Sequence, residues 1–186
     1  MTKIVNVLLQ HAGWFACVLG AAWGRPWLGA AIALALIGIH LFLVQDRGPE
    51  LRLLLAAGLL GTVLDTIQGR LGIVLFRSGY ILDWLCPLWI TVLWIHFGTL
   101  LHFAADWMSR RYLLAVVLGA VGGPVAFYGG ARLGAADLHP NLAVALIALA
   151  VEWAVAMPLL VWLADRFPVT PGYRGFPGKN ALVRRT

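Results

Sequence analysis

Six apolar runs of 18 to 25 residues follow one another along the chain, near 4–22, 27–44, 51–75, 84–106, 112–133 and 140–163. A helix that crosses a bilayer needs about 20 apolar residues, so each run has the length of one crossing. The breaks between them, "WGRP", "QDRGPE", "RSGYILD", "WMSRR" and "AADLHP", leave no room for a second domain. Composition agrees: 61% of residues are hydrophobic and 12% charged, against about 45–50% and about 25% in a soluble domain. The expected fold is all-α, a polytopic membrane helix bundle with six transmembrane helices over residues 1–163. A flexible basic cytoplasmic tail is expected over 164–186. Gln10 and His11 interrupt the first apolar run and a second follows at once, so the N-terminus is read as a span and not a cleaved signal. No internal repeat stands out.

Six crossings put both termini on one side. The ten basic residues there are Lys3, Arg47, Arg52, Arg110, Arg111, Arg166, Arg174, Lys179, Arg184 and Arg185, against Arg25, Arg70, Arg77 and Arg132 opposite. The excess places both termini in the cytoplasm. The net charge of +6 is scattered at the ends of apolar runs, which speaks for membrane topology and against nucleic acid. The basic tail can touch anionic lipid headgroups. Cys17 and Cys86 are too few for a disulfide framework.

The fifth run contains "GAVGGPVAFYGGARLG", residues 119–134. Gly122, Ala126, Gly130 and Gly134 recur at i+4 and form a smooth stripe, with Gly119 and Gly123 beside it. Without an apolar driving force in lipid, small residues let helix backbones approach. Pro124 removes one backbone hydrogen bond. Two readings stand: a tightly packed helix at the bundle centre, or glycines that make room for a ligand such as an acyl chain. Gly122, Gly123, Pro124 and Gly130 are the candidate binding positions under the second.

The third run places Gly58, Gly61, Asp65, Gln68 and Gly72 on one face, which therefore points inward. At about 1.5 Å per residue, Asp65 lies about 21 Å from the start of its span, and His96 and Glu152 about 18 Å from the outer ends of theirs. Three ionisable groups then share the midplane. Intramembrane acids usually mark a pathway or a site. Asp65, His96 and Glu152 are the candidate catalytic residues, in acid–base chemistry around a ligand held by Gln68. The competing reading is a set of polar groups that fix helix registry. A second layer, His11, His40, His102 and Asp106, falls within about two turns of the cytoplasmic interface. No metal site is expected, because no tight histidine box occurs; His11, His40 and His102 are the ligands that one would draw on. Asn6, Gln10 and Trp14 recur at i+4 on the first span, as interhelical hydrogen-bonding groups or ligand contacts.

The segments "NVLLQHAGWFACVLGAA", "LLGTVLD", "PLWITVLWIHFGTLLH" and "GGPVAFYGGARLG" resemble the bacterial inner-membrane family catalogued as domain of unknown function 2878. The resemblance covers roughly residues 4 to 163. Carried over by residue, it points to Asn6, Gln10, Trp14, Asp65, His102, Gly122, Gly123, Pro124, Gly130 and Arg132. It implies a multi-pass protein of the bacterial inner membrane and a setting beside fatty-acid-modifying enzymes. Three roles follow as expectations: an enzyme or accessory factor acting on lipid acyl chains within the bilayer, a small proton-coupled transporter, or an assembly subunit. Membrane lipids are the expected partners, with a homodimer or other membrane proteins as further candidates. No nucleotide loop, serine nucleophile elbow or haem-attachment motif occurs, and no cofactor is indicated.

Overall fold

The structure, a computed structural model, describes residues 2–170, 172–174 and 176–177. Six α-helices carry the fold: α1 Thr2–Ala22, α2 Pro26–Leu43, α3 Arg47–Arg70, α4 Leu88–Gly98, α5 Tyr112–Arg132 and α6 Leu142–Arg166. Four of them, α1, α2, α5 and α6, are long and apolar enough to cross a membrane. Helix α3 carries more charge but is built inside out. Leu51, Leu55, Leu59, Val63 and Ile67 form its exposed face, while Glu50, Gly58, Gly61, Asp65 and Gln68 are buried. An apolar stripe outside and a polar stripe inside suits a lipid surround, where water is not the solvent.

Helix α4 is shorter than the expected 84–106. Pro87 stands at its N-cap, and beyond Gly98 the chain continues as tight turns to a single 3-10 turn at Asp106–Met108. Its 11 residues span about 16 Å. No residue from Leu88 to Gly98 is exposed. This helix is the centre of the bundle, touching α1, α2 and α3. The fifth helix is not central as expected: it packs along α6 and is otherwise largely exposed. Helices α1 and α2 close against each other through glycine, since a Cβ on Gly29 would lie 2.3 Å from the Ala16 carbonyl oxygen.

The third run does not stay helical to 75. Helix α3 ends at Arg70, and the chain turns at Gly72 (φ +70°) into a strand, β1 Val74–Phe76. Helix α5 does the same, turning at Gly134 (φ +94°) into β2 Ala136–Leu138. Both turns have the same pair of bonds, Ile73 N–H to Gln68 O with Gly72 N–H to Gly69 O, and Ala135 N–H to Gly130 O with Gly134 N–H to Ala131 O. This is the Schellman closure, which needs a left-handed residue after the helix and hence glycine. The strands pair antiparallel, Val74 with Leu138, Leu75 with Asp137 and Phe76 with Ala136.

These details expose a repeat that the sequence reading missed. Arg70-Leu71-Gly72 and Arg132-Leu133-Gly134 lie 62 residues apart, as do Gly61 and Gly123, and Val63 and Val125. At the same offset, Leu75 corresponds to Asp137, and these two residues are paired at the centre of the sheet. The ends of α3 and α5 thus close in the same way, and the strands they lead into pair antiparallel about Leu75 and Asp137. The correspondence of parts, and not overall identity, carries the relation.

The strand pair is clasped by Arg77, whose Nε and Nη2 donate to the two oxygens of Asp137 at 2.9 and 2.6 Å. The guanidinium holds the Asp137 carboxyl below the usual carboxylate range, chiefly by hydrogen bonding. A depressed folded pKa stabilises the pairing above the ordinary value of about 3.9, and that contribution is lost as pH falls through the folded value. The N–H groups of Arg77 and His139 bond to Ala135 O and Ile73 O. Their protection from hydrogen exchange is expected to be flat between about pH 5 and 8 and to fall below about pH 4. Protection factors that stay constant through the acid range would contradict this clasp.

Both ends of the described chain lie at the end of the bundle opposite the strands. Lys3 pairs with Asp106, and Tyr173 lies against Val44 and Phe103. Tyr173 belongs to the strand pair β3 Gly172–Tyr173 and β4 Phe176–Pro177. The tail expected to be flexible is therefore docked in its described part, and 178–186 lie outside the described residues.

Candidate functional site

Helix α5 lies on α6, and α1 lies on α2 and α4. The space left between α1 and α5 is a cavity of about 620 Å³, within the range of ligand pockets. The two helices come together near the strand end, where a Cβ on Gly130 would meet Val18 at 4.0 Å and one on Gly134 would meet Ala22 at 3.7 Å. Exposed wall residues, His11 and Phe15 on α1 with Leu118, Gly122 and Val125 on α5, mark the mouth. The mouth opens sideways, in the direction that the exposed apolar faces of the helices also point.

The glycine stripe of α5 has a different use from packing. A Cβ on Gly122 would meet nothing within 4 Å, and Gly122, Ala126 and Gly130 all line the cavity. Close packing falls to the neighbouring pair. A Cβ on Gly119 would lie 2.2 Å from the Trp153 carbonyl oxygen, and one on Gly123 would lie 2.1 Å from Trp153 Cγ. The other half of the repeat mirrors this: a Cβ on Gly61 would lie 1.9 Å from Trp94 Cγ. Trp94 and Trp153 then stack on each other, with centroids 4.6 Å apart and planes at 15°. Two glycines on two helices thus seat two indoles that form the cavity floor. Pro124 sits within a continuous α5 and is not part of the cavity wall.

Beneath the floor lie the acids. Trp94 Nε1 donates to Asp65 Oδ2 at 2.5 Å. Gln68 Nε2 donates to Glu152 Oε2, joining α3 to α6. Asp65 is fully buried and borders the cavity. His96 does not join them, contrary to expectation. It is two residues from Trp94, about 200° around the helix, so it faces α1. Its Nε2 lies 3.1 Å from Leu9 O, and its ring fills the space beside Gly13. The expected midplane trio is a pair.

Several buried polar atoms have no partner among the described residues: Asp65 Oδ1, Gln68 Oε1, Glu152 Oε1, Gln10 Oε1, His96 Nδ1 and Trp153 Nε1. An unpaired buried polar group costs about 1–3 kcal/mol, so such a cluster calls for an explanation. Asp65, Gln10 and Trp153 are the three that also line the cavity.

The first-span triplet divides its labour. Gln10 and Trp14 line the cavity, whereas Asn6 belongs to a second polar centre near the termini. There Glu50, wholly buried, takes His40 Nε2 at 2.7 Å on one oxygen and His102 Nδ1 at 2.6 Å on the other. His102 Nε2 faces Ala164 O at 3.0 Å. Both His102 nitrogens therefore face acceptors and must both donate, so the hydrogen-bond partners assign it as the imidazolium. His40 Nδ1 faces the Tyr173 hydroxyl at 3.0 Å, and Asn6 Nδ2 donates to that hydroxyl at 3.2 Å. The chain of bonds ties α1, α2, α3, α6, the turns after α4 and the tail. His11 is not in it: exposed, it bonds Val7 O within its own helix. The three histidines do not converge, and no metal-holding group of three or more His, Cys, Asp or Glu occurs among the described residues.

Glu50, Trp94, Trp153 and Tyr173 were not singled out from the sequence. Glu50 had a signal, since 50, 54, 58, 61, 65 and 68 continue one helical face. Trp94 and Trp153 had no such signal, since they lie 59 residues apart and not at the 62-residue offset of Gly61 and Gly123. Tyr173 had none, being 133 residues from His40.

Fold and cavity define an all-helical bundle of membrane type, with a lateral apolar cavity beside a buried acid. The chain belongs to the family described as Protein of unknown function (DUF2878), whose model matches residues 3–159. No curated protein and no solved structure matches it.

Proposed function

We propose that this chain crosses the bacterial inner membrane six times with both termini in the cytoplasm, and takes a lipid-class molecule sideways from the bilayer into the cavity between α1 and α5. The basic residues gathered at the tail end support the orientation. Non-helical backbone at membrane depth is tolerated where protein surrounds it, which suits a short α4 enclosed by its neighbours. The observation that carries the ligand reading is the conjunction of Asp65 Oδ1, buried and unpartnered, with an apolar cavity of about 620 Å³ open between two helices. Asp65 is the residue that meets the ligand's polar end and exchanges a proton with it. Glu152 and Gln68 act behind it, as positioning residues.

The test is comparative mass spectrometry of total lipids from a deletion strain, its wild-type complement and an Asp65→Asn complement at matched protein level. A lipid species that changes in the deletion and is not restored by Asp65→Asn is the expected result. Identical profiles in all three strains would remove the lipid role.

A further inference from the structure

The Glu50 centre stands apart from the cavity, since none of Asn6, His40, Glu50, His102 and Tyr173 lines it. We infer that the tail is the plug of this centre: Tyr173 fills a phenol-binding site on the helix bundle, and its departure opens the centre to water through His40. The hydrogen bonds assign each hydrogen in the chain. Asn6 Oδ1 accepts from the Ala104 N–H at 3.3 Å, so the amide nitrogen is the atom that meets the Tyr173 hydroxyl. That hydroxyl accepts from Asn6, and among the described residues its remaining partner is His40 Nδ1, to which it gives its own hydrogen. His40 then carries its hydrogen on Nε2, which donates to Glu50 Oε1. His40 is neutral, and the His102 imidazolium balances the Glu50 carboxylate. Burial pushes the Tyr173 hydroxyl above its ordinary value, so it keeps the hydrogen that it donates.

Both Glu50 oxygens and both His102 nitrogens are engaged within the bundle, so His40 Nδ1 is the one ring nitrogen of the pair that the tail covers. Tyr173 sits there as a ligand sits in a pocket. It is 3% exposed, its ring stacks on Phe103 with centroids 4.8 Å apart, and two polar groups meet its hydroxyl. Site and occupant are separate stretches of sequence. Asn6, His40 and Phe103 fall within residues 3–159 that match the family, and Tyr173 lies beyond them. Few backbone bonds hold the occupant: Arg174 N–H to Leu43 O at 2.7 Å and Thr170 N–H to Asp46 Oδ2 at 2.6 Å. A terminal segment held by few bonds opens locally at a lower cost than global unfolding. Once it opens, His40 Nδ1 has lost its donor and its lone pair faces water.

The experiment labels the purified full chain in nanodiscs with diethyl pyrocarbonate, which acylates an unprotonated imidazole nitrogen, and reads each histidine by peptide mapping. Exposed His11 serves as the internal reference. In Tyr173→Ala, His40 is expected to label at least about tenfold faster than in wild type, the size of one buried hydrogen bond. His102, with both nitrogens donating, is expected to stay unlabelled. Added para-methylphenol, the tyrosine side chain as a free molecule, is expected to restore the slow rate, and toluene, which lacks the hydroxyl, is not. Tyr173→Phe keeps the ring and is expected to raise the His40 rate about fivefold; it decides the matter if Tyr173→Ala is not recovered. A His40 rate unchanged from wild type would show that Tyr173 is not the plug. His40 and His102 labelling together would show a centre that comes apart instead of opening. Equal slowing by para-methylphenol and toluene would remove the phenol site.

Discussion

The Gly61→Val substitution is expected to lower the thermal unfolding midpoint of the detergent-solubilised protein by about 6–12 °C, or to prevent its recovery. Even a Cβ at this position would lie 1.9 to 2.2 Å from three atoms of the Trp94 ring. The ring cannot retreat, because Trp153 is stacked on its other face and is itself pressed against Gly123. Overpacking costs about 1–3 kcal/mol, and losing the Trp94 bond to the buried Asp65 adds about 1–3 kcal/mol. A total near about 3 kcal/mol in a chain of this size corresponds to that range of temperature. Relief should come from Trp94→Leu in the same chain, which removes the clash but not the loss of the Asp65 bond. A single Gly61→Val variant that melts within a degree or two of wild type would show that Trp94 is not seated there.

The second large effect is at Glu50. Glu50→Ala is expected to destabilise the protein by about 3–5 kcal/mol, since removing one member of a buried ion pair strands the other. Here it strands two rings, the His102 imidazolium and the N–H of His40. Glu50→Gln should recover little, because an amide presents one oxygen and one nitrogen to two donors. The tail gives a second readout. His40 holds the Tyr173 hydroxyl, and Arg174 bonds back to Leu43 O, so tryptic cleavage at Arg174 should accelerate in both variants. Wild-type melting and wild-type cleavage rates in Glu50→Ala would contradict the network. Tyr173→Phe, which leaves the ion pair intact, should cost only about 1 kcal/mol.

Six helices were legible because lipid length and apolar period write themselves plainly along a chain. Their packing order was not. The glycine stripe at 122, 126, 130 and 134 reads the same whether a helix or empty space lies against it, since glycine records the absence of a side chain and not what replaces it. The structure gives packing to Gly119 and Gly123 and space to Gly122. Depth along a straight helix brought Asp65 and Glu152 to one level, and both are buried there, Asp65 bonded to Trp94 and Glu152 to Gln68. It brought His96 there too, but depth carries no azimuth, and two residues beyond Trp94 the side chain faces the other way. The end of α3 was missed for a related reason. "RLGIVLF" continues the apolar run, and only the left-handed requirement at Gly72 marks the turn into a strand. The repeat was hidden because it survives in its joints, Arg-Leu-Gly and a Trp-seating glycine, while the acid face of α3 has Phe127 and Gly130 in place of Asp65 and Gln68 in α5.

The most direct measurement is native mass spectrometry of the protein purified in a mild detergent, wild type beside Gly122→Trp. Position 122 is exposed on α5, and a Cβ there would meet nothing within 4 Å, so a side chain can leave the backbone at the cavity mouth without a clash. The account predicts a small apolar adduct on the wild-type protein that is absent from Gly122→Trp, with unfolding midpoints unchanged. Wild-type protein that is bare, or an adduct held equally by both forms, would contradict a ligand site between α1 and α5.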